Sequence, residues 1–279
     1  MQIEIIKFIQ SFSNVGLDYI FEGITILGEE IFYTMAFCFI YWCINKRASY
    51  LLMISYIIST ALNLTLKNVF HATRPINVEG IRSLRTNTAP GYSFPSGHTQ
   101  GATTFWMGII YIYDKVSIKV GSVIIIILIG FSRLYLGVHW PIDVIGGIVF
   151  GAISFFIGLK LLLYVEKKKT YTHLYILAII TIIGFAIYPE KNFAIAAGLI
   201  TGFAIGYPIE NKYINFTEKT TLIRQIIKFI IGILGLIFIK VFLKSILPIH
   251  LVSDMIRYFM IAFWILVMYP YLFSKIQKS

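Results

Sequence analysis

Apolar runs of about 16 to 25 residues recur along this chain, the length a helix needs to cross a hydrocarbon layer of roughly 30 Å. Stretches such as Val123 to Ile129 are apolar at every position, so they lack the alternation a membrane β-barrel requires. Of 279 residues, 58% are hydrophobic and only 13% charged, whereas soluble domains are nearer a quarter charged. The expected fold is therefore all-α, a polytopic membrane helical bundle. The runs place spans near 30–44, 50–70, 96–113, 120–136, 141–164, 175–188, 193–208, 222–242 and 255–273. Residues 1–28 read as an N-terminal interfacial segment, with Ile3, Ile6, Phe8 and Ile9 apolar and Glu4, Lys7 and Gln10 polar. The N-terminus lacks a signal-peptide pattern.

A net charge of +11 would suggest nucleic acid in a soluble protein. Here the cations sit in short loops between apolar runs, so topology and anionic head groups explain them, and no nucleic-acid partner is expected. Lys46-Arg47, Lys115/Lys119, Lys167 to Lys169, Lys212/Lys219/Arg224 and Lys275/Lys278 alternate onto one side of the membrane. The positive-inside bias makes that side cytoplasmic. Cys38 and Cys43 are too few, and wrongly spaced, for a zinc pair or a disulfide framework, and core packing is their expected role.

Three groups of ionisable residues stand at the ends of apolar segments, all on the side opposite the basic loops. The first is Lys67 with Arg74-Pro75. Their spacing is close to two helical turns, so both are expected to face one way at the end of the second span. The second is Pro95-Ser96-Gly97-His98. Ser96 suits a helix N-cap, Gly97 lets a ligand approach the backbone, and the free N–H groups of a helix start attract phosphate. The third is Ser132-Arg133, followed by His139 and Asp143. Pro141 belongs in a first helical turn, and a carboxylate four residues after His139 can accept its imidazole N–H. Each group alone admits a plainer reading: snorkelling cations, a capped helix with an interfacial histidine, or a structural His–Asp bond. A metal site on His71, His98, His139 and Asp143 is disfavoured by three accompanying cations, which suit a phosphoryl group instead. The polar stretch 76–95 adds Arg82 and Arg85, either solvated loop charges or contacts for a second phosphate.

Taken together, Lys67 with Arg74-Pro75, Pro95 to His98, and Ser132-Arg133 with His139 and Asp143 resemble the three-part motif of the type 2 phosphatidic acid phosphatase superfamily. The resemblance implies a six-helix phosphatase core at 29–190, with additional C-terminal transmembrane helices at 191–279. It implies His139 as nucleophile forming a phosphohistidine, Asp143 as its support and His98 as the acid for the leaving oxygen. Lys67, Arg74, Ser96, Gly97 and Arg133 would hold the phosphoryl oxygens, with no metal and no cofactor. The expected activity is hydrolysis of a lipid phosphate or pyrophosphate of the undecaprenyl pyrophosphate, phosphatidylglycerol phosphate or phosphatidic acid class. The expected site lies on the extracytoplasmic face of a bacterial-type plasma membrane. A lipid phosphotransferase using the same histidine and a non-enzymatic lipid transporter are the alternatives.

Overall fold

The computed structural model describes residues 1–278, and those residues form helices and connecting loops with no strand. In chain order the helices are α1 (Gln2–Gln10), α2 (Val15–Ile26), α3 (Glu30–Phe39), α4 (Lys46–Phe70), α5 (Gly97–Ile112) and α6 (Val116–Tyr135). There follow α7 (Pro141–Lys168), α8 (Thr172–Ile187), α9 (Lys191–Ile209), α10 (Leu222–Ile246), α11 (Leu251–Phe263) and α12 (Tyr269–Lys278). Three π-helical turns, Ile40–Ile44, Glu210–Ile214 and Trp264–Met268, extend α3 and α9 and join α11 to α12.

Among the described residues, six helical stretches are long and apolar enough to cross a membrane: 46–70, 116–135, 141–168, 191–214, 222–246 and 251–275. The pair α2 and α3 passes the same test together but is bent by 49° between Ile26 and Glu30. This corrects the expectation of about nine full spans: α5 and α8 have 16 residues each, about 24 Å at 1.5 Å per residue. Val15–Ile26 forms the first limb of that bent pair. Outward faces are oily where water-soluble helices would be charged. On α10, Ile226, Ile230, Leu234 and Phe238 are all exposed, as a lipid-facing surface requires. The protein is an integral membrane protein.

The chain divides into two compact units. One comprises Met1–Thr34 and Ile58–Gly158. In it α1 lies along the loops by way of Gln10, whose amide donates to Arg82 O (2.7 Å) and Tyr135 O (2.8 Å) and accepts from Arg82 N (3.0 Å). Ala89, Tyr135, Leu136 and Val138 form a small core there, against Ile9, Leu17, Phe21, Ile76 and Leu84. The N-terminal ends of α5 and α7 meet closely because Gly147 has no side chain: a Cβ on it would stand 2.9 Å from Ser96 O.

The other unit comprises Met35–Ile57 and the chain from Leu159 onward. Here α9 packs through small residues four apart, Gly198 and Gly202 against α11 and Gly206 against the π-helical turn after it, as membrane helices do when backbones approach. A Cβ on Gly198 would stand 2.3 Å from Met255 O. Glu210 is fully buried at the end of α9 and satisfied by Lys46 Nζ (3.0 Å), Phe216 N (3.2 Å) and the Tyr50 hydroxyl. Cys38 is buried and Cys43 half-buried, and both are free thiols.

Candidate active site

Helix α4 ends at Phe70, where His71 takes a left-handed backbone conformation (φ 48°). Arg74 therefore does not share a helical face with Lys67, contrary to the spacing argument. It reaches the same place from the loop. Its guanidinium is tethered by carbonyls at Gly91 (2.9 Å), Pro90 (3.0 Å), Tyr92 (3.0 Å) and Val138 (2.9 Å). That wraps the polar stretch around the arginine and leaves Arg74 Nη1 2.9 Å from His139 Nε2. Lys67, in the last turn of α4, lies close enough to Arg74, Arg133 and Asp143 for their charges to act on it.

Ser96 caps α5: its hydroxyl accepts from Thr99 N (3.5 Å) and Thr99 Oγ1 (3.0 Å). Its own N–H donates to Asp143 O at 3.0 Å, which ties the start of α5 to the start of α7. Gly97 follows, facing Asn63, whose amide donates to Pro95 O (3.1 Å) and Gln100 Oε1 (2.8 Å). The N–H groups of that first turn have no acceptor inside the helix. His98 sits in it, near enough to His139, Lys67, Arg74 and Arg133 for charges to be felt between them. Its Nε2 is buried with no hydrogen-bond partner in the protein.

Arg133, in the last turn of α6, is fully buried, and Nη1 donates to Thr25 Oγ1 at 2.7 Å. Its Nε and Nη2 are buried without a partner in the protein. Buried donors in native proteins are nearly always paired. Two unpaired guanidinium donors, with an unpaired imidazole nitrogen near them, make a place for an anion.

His139 and Asp143 are buried at the start of α7. Asp143 Oδ2 faces His139 Nδ1 at 3.3 Å, accepts from Trp140 N at 2.7 Å and accepts the Ser93 hydroxyl. A guanidinium can only donate, so Arg74 Nη1 requires a lone pair on His139 Nε2. The ring proton then belongs on Nδ1, toward Asp143. Burial first, then the charges of Arg74, Arg133 and Lys67, hold His139 well below the ordinary histidine range. Its Nε2 is thus held in the neutral form at neutral pH. Arg74, pushed down to about 10 mainly by burial and held up by Asp143, remains a cation at neutral pH.

The geometry thus brings Lys67, Arg74, Ser96, Gly97, His98, Arg133, His139 and Asp143 to one end of this unit. His71 is exposed and packs edge-on against Tyr92 (ring centroids 4.6 Å apart). Among the described residues no group of three or more His, Cys, Asp or Glu side chains is placed to hold a metal ion. Arg82 is held away by Asp18 (2.6 and 2.8 Å), which also accepts the Tyr135 hydroxyl at 2.6 Å. Arg85 pairs with Glu29 (2.5 Å) beside Arg133.

Sequence reasoning missed Ser93, Thr25 and Asn63. The last two carried a weak signal, being polar within apolar runs. Ser93 carried none. Its hydroxyl donates to Asp143 and lies 3.3 Å from His139 Nδ1. A hydrogen bond to a charged group contributes about 1.5–3 kcal/mol, so Ser93→Ala should lower kcat about ten- to a hundredfold with KM nearly unchanged. Steady-state kinetics check this, and a shift confined to KM would remove Ser93 from the support of Asp143.

The fold and site together define an α-helical integral membrane protein with a cationic, histidine-bearing site at one end of its spans. Residues 47–167 match the family model described as the PAP2 superfamily. Residues 194–279 match that of the PAP2 superfamily phosphatase transmembrane extension. Aquifex aeolicus LpxE, known from its crystal structure, superposes with a TM-score of 0.51 at 31% identity, over 57% of this chain and 94% of that one. This chain belongs to the PAP2 superfamily. It is also 34% identical to a probable sphingosine-1-phosphate phosphatase of Dictyostelium discoideum over 55% of its own length. To an undecaprenyl-diphosphatase of Sulfolobus acidocaldarius it is 32% identical over 42%. The matches span 40% and 56% of these relatives, about half their length.

Proposed function

We propose that this protein is a metal-independent phosphatase that hydrolyses a lipid phosphate or pyrophosphate through a phosphohistidine on His139. The observation that carries this reading is the orientation of His139. Its Nδ1 is held at Asp143 and Ser93, and its Nε2 lone pair is directed at Arg74 among the cations Lys67 and Arg133. A phosphoryl group entering there takes over Arg74 as a donor, so the residue that covers Nε2 becomes a clamp on the substrate. The Arg133 donors, Lys67, the Ser96 hydroxyl and the Gly97 N–H donate to the other oxygens, where charge grows in the transition state.

In the first step His139 Nε2 bonds to phosphorus as the bond to the leaving oxygen breaks. The imidazolium of His98 gives its Nε2 proton to that oxygen, and Asp143 offsets the charge on the phosphorylated ring. The substrate's own negative charge supports the protonated His98. In the second step neutral His98 takes a proton from water, the water oxygen bonds to phosphorus and the P–N bond breaks. Both histidines return to their starting states.

Two similar proteins are named for lipid phosphates, sphingosine-1-phosphate and undecaprenyl diphosphate, and a substrate whose tail stays in the bilayer fits a site at the end of membrane spans. The loop charges support a site outside the cytoplasm, and the membrane we assign to it is a bacterial-type plasma membrane. Residues 29–190 carry the chemistry, and 191–279 are the added spans. The test is purified protein in detergent against phosphatidic acid, phosphatidylglycerol phosphate, a sphingoid-base phosphate and undecaprenyl pyrophosphate. Released phosphate is scored with and without EDTA and vanadate. Turnover of at least one lipid, full in EDTA and blocked by vanadate, is expected. Loss of hydrolysis in EDTA would overturn the mechanism, and transfer to another acceptor without phosphate release would make it a phosphotransferase.

A further inference from the structure

The bend between α2 and α3 lies outside the part of the chain that matches either family model, which begins at residue 47. Yet it touches the site at three points. Thr25, fully buried, accepts from Arg133 Nη1 at 2.7 Å, while the other Arg133 nitrogens stay unpaired. Gly28 lies against His98: a Cβ there would stand 3.1 Å from Cδ2 of the ring, 3.2 Å from its Cβ and 3.0 Å from Ile129 Cγ2. Glu29 holds Arg85 at 2.5 Å, and Arg85 is near enough to His98 and Arg133 for its charge to act on both. Arg85 takes a left-handed conformation (φ 51°) in reaching this pair.

We infer that the elbow Thr25–Glu29 is a positioning element of the active site: Gly28 sets the imidazole of His98 and Thr25 sets the guanidinium of Arg133. Glu29 fastens the polar loop over the same side. The inference rests on His98 being the leaving-group acid. It explains why the first span is broken here. A side chain at position 28 would press on His98, whereas the bend sets a glycine there, with the Thr25 hydroxyl on Arg133 and the Glu29 carboxylate on Arg85. It also accounts for a fully buried threonine in an apolar run, since Thr25 is the hydrogen-bond partner found for an otherwise unpaired buried cation. None of the three is a catalytic residue. Each acts through another side chain.

The elbow should separate two effects. A methyl at position 28 forces His98 to give by a few tenths of an ångström, and acid catalysis is sensitive to such displacement. An alkoxide needs the proton, whereas p-nitrophenolate leaves without it. Gly28→Ala should therefore lower kcat/KM about tenfold or more on a lipid monophosphate and less than about threefold on p-nitrophenyl phosphate. Using kcat/KM confines the comparison to the first phosphoryl transfer. Thr25→Val, nearly the same shape, frees Arg133, which meets the phosphoryl group of either substrate. It should lower both values alike, by about tenfold or more, and Thr25→Ser should restore them.

His98→Ala is measured beside them to give the full split, and a thermal transition in detergent establishes that each variant folds. If His98→Ala shows the split and Gly28→Ala does not, the elbow proposal fails while the mechanism stands. If His98→Ala shows no split, the acid assignment itself is lost, and the threonine pair decides the elbow. Unchanged kcat/KM in Thr25→Val overturns it, and a uniform loss rescued by serine sustains it. Should Gly28→Ala not fold, the same pair decides.

Discussion

Replacing His139 with alanine should lower kcat by about 10⁴-fold or more while leaving the helical fold intact, because the variant removes the atom that bonds to phosphorus. Truncation here leaves a small cavity beside Arg74 and Ser93 and removes no anchor of the α7 terminus, which Trp140 N and Ser96 N secure at Asp143. The decisive readout is covalent. Brief mixing with ³²P-labelled substrate followed by quenching should label the native protein with phosphate that is stable in base and released in acid, as a phosphoramidate is. His139→Ala should take up no label. Persistence of label in that variant would move the covalent site elsewhere and refute the role given to this ring. Because burial and three neighbouring cations keep His139 neutral below the ordinary histidine range, its protonation should not produce an acid limb near pH 6.5 in kcat/KM. A His139 ring resonance that titrates near pH 6.5 by NMR would contradict the geometry.

The second large effect belongs to Asp143. Converting it to asparagine keeps the shape and removes the charge. Three donors converge on Oδ2, from Ser93, Trp140 and His139. An asparagine must turn its oxygen to them, placing an amide NH₂ where Oδ1 lies buried without a partner. The backbone contacts survive, but the developing positive charge on a phosphorylated imidazole is no longer offset, and the Nδ1–H form of the ring loses its preference. A loss of about 10³- to 10⁴-fold in kcat is expected, with slow labelling of His139 still detectable. An unchanged kcat would mean that the carboxylate serves the fold alone.

Much of this organisation was legible in the sequence where the governing interactions are local. Ser96 caps α5 through a residue three positions on, and His139 meets Asp143 one turn away. Pro141 opens α7 because its ring suits a first turn. Local rules misled at Arg74. Seven residues from Lys67 is a shared face only while the helix lasts, and it ends at Phe70. The span count erred for a related reason: hydropathy marks an apolar run but not its helical length, and α5 and α8 are short. Arg82 and Arg85 looked equivalent in the polar stretch, but carboxylates far away in sequence separate them, Asp18 taking one and Glu29 the other.

By itself, the sequence determined that the chain lies in a membrane as helices, and which charged residues stand at helix ends. Both follow from apolar length, charge placement and contacts within one helical turn. Only the tertiary structure decided that Ser93 joins Asp143 across 50 residues, that Thr25 meets Arg133 across 108, and that Arg74 approaches His139 from a loop. Such contacts depend on how helices and loops converge in space. No spacing along the chain encodes a distance between segments that meet only once the bundle has closed.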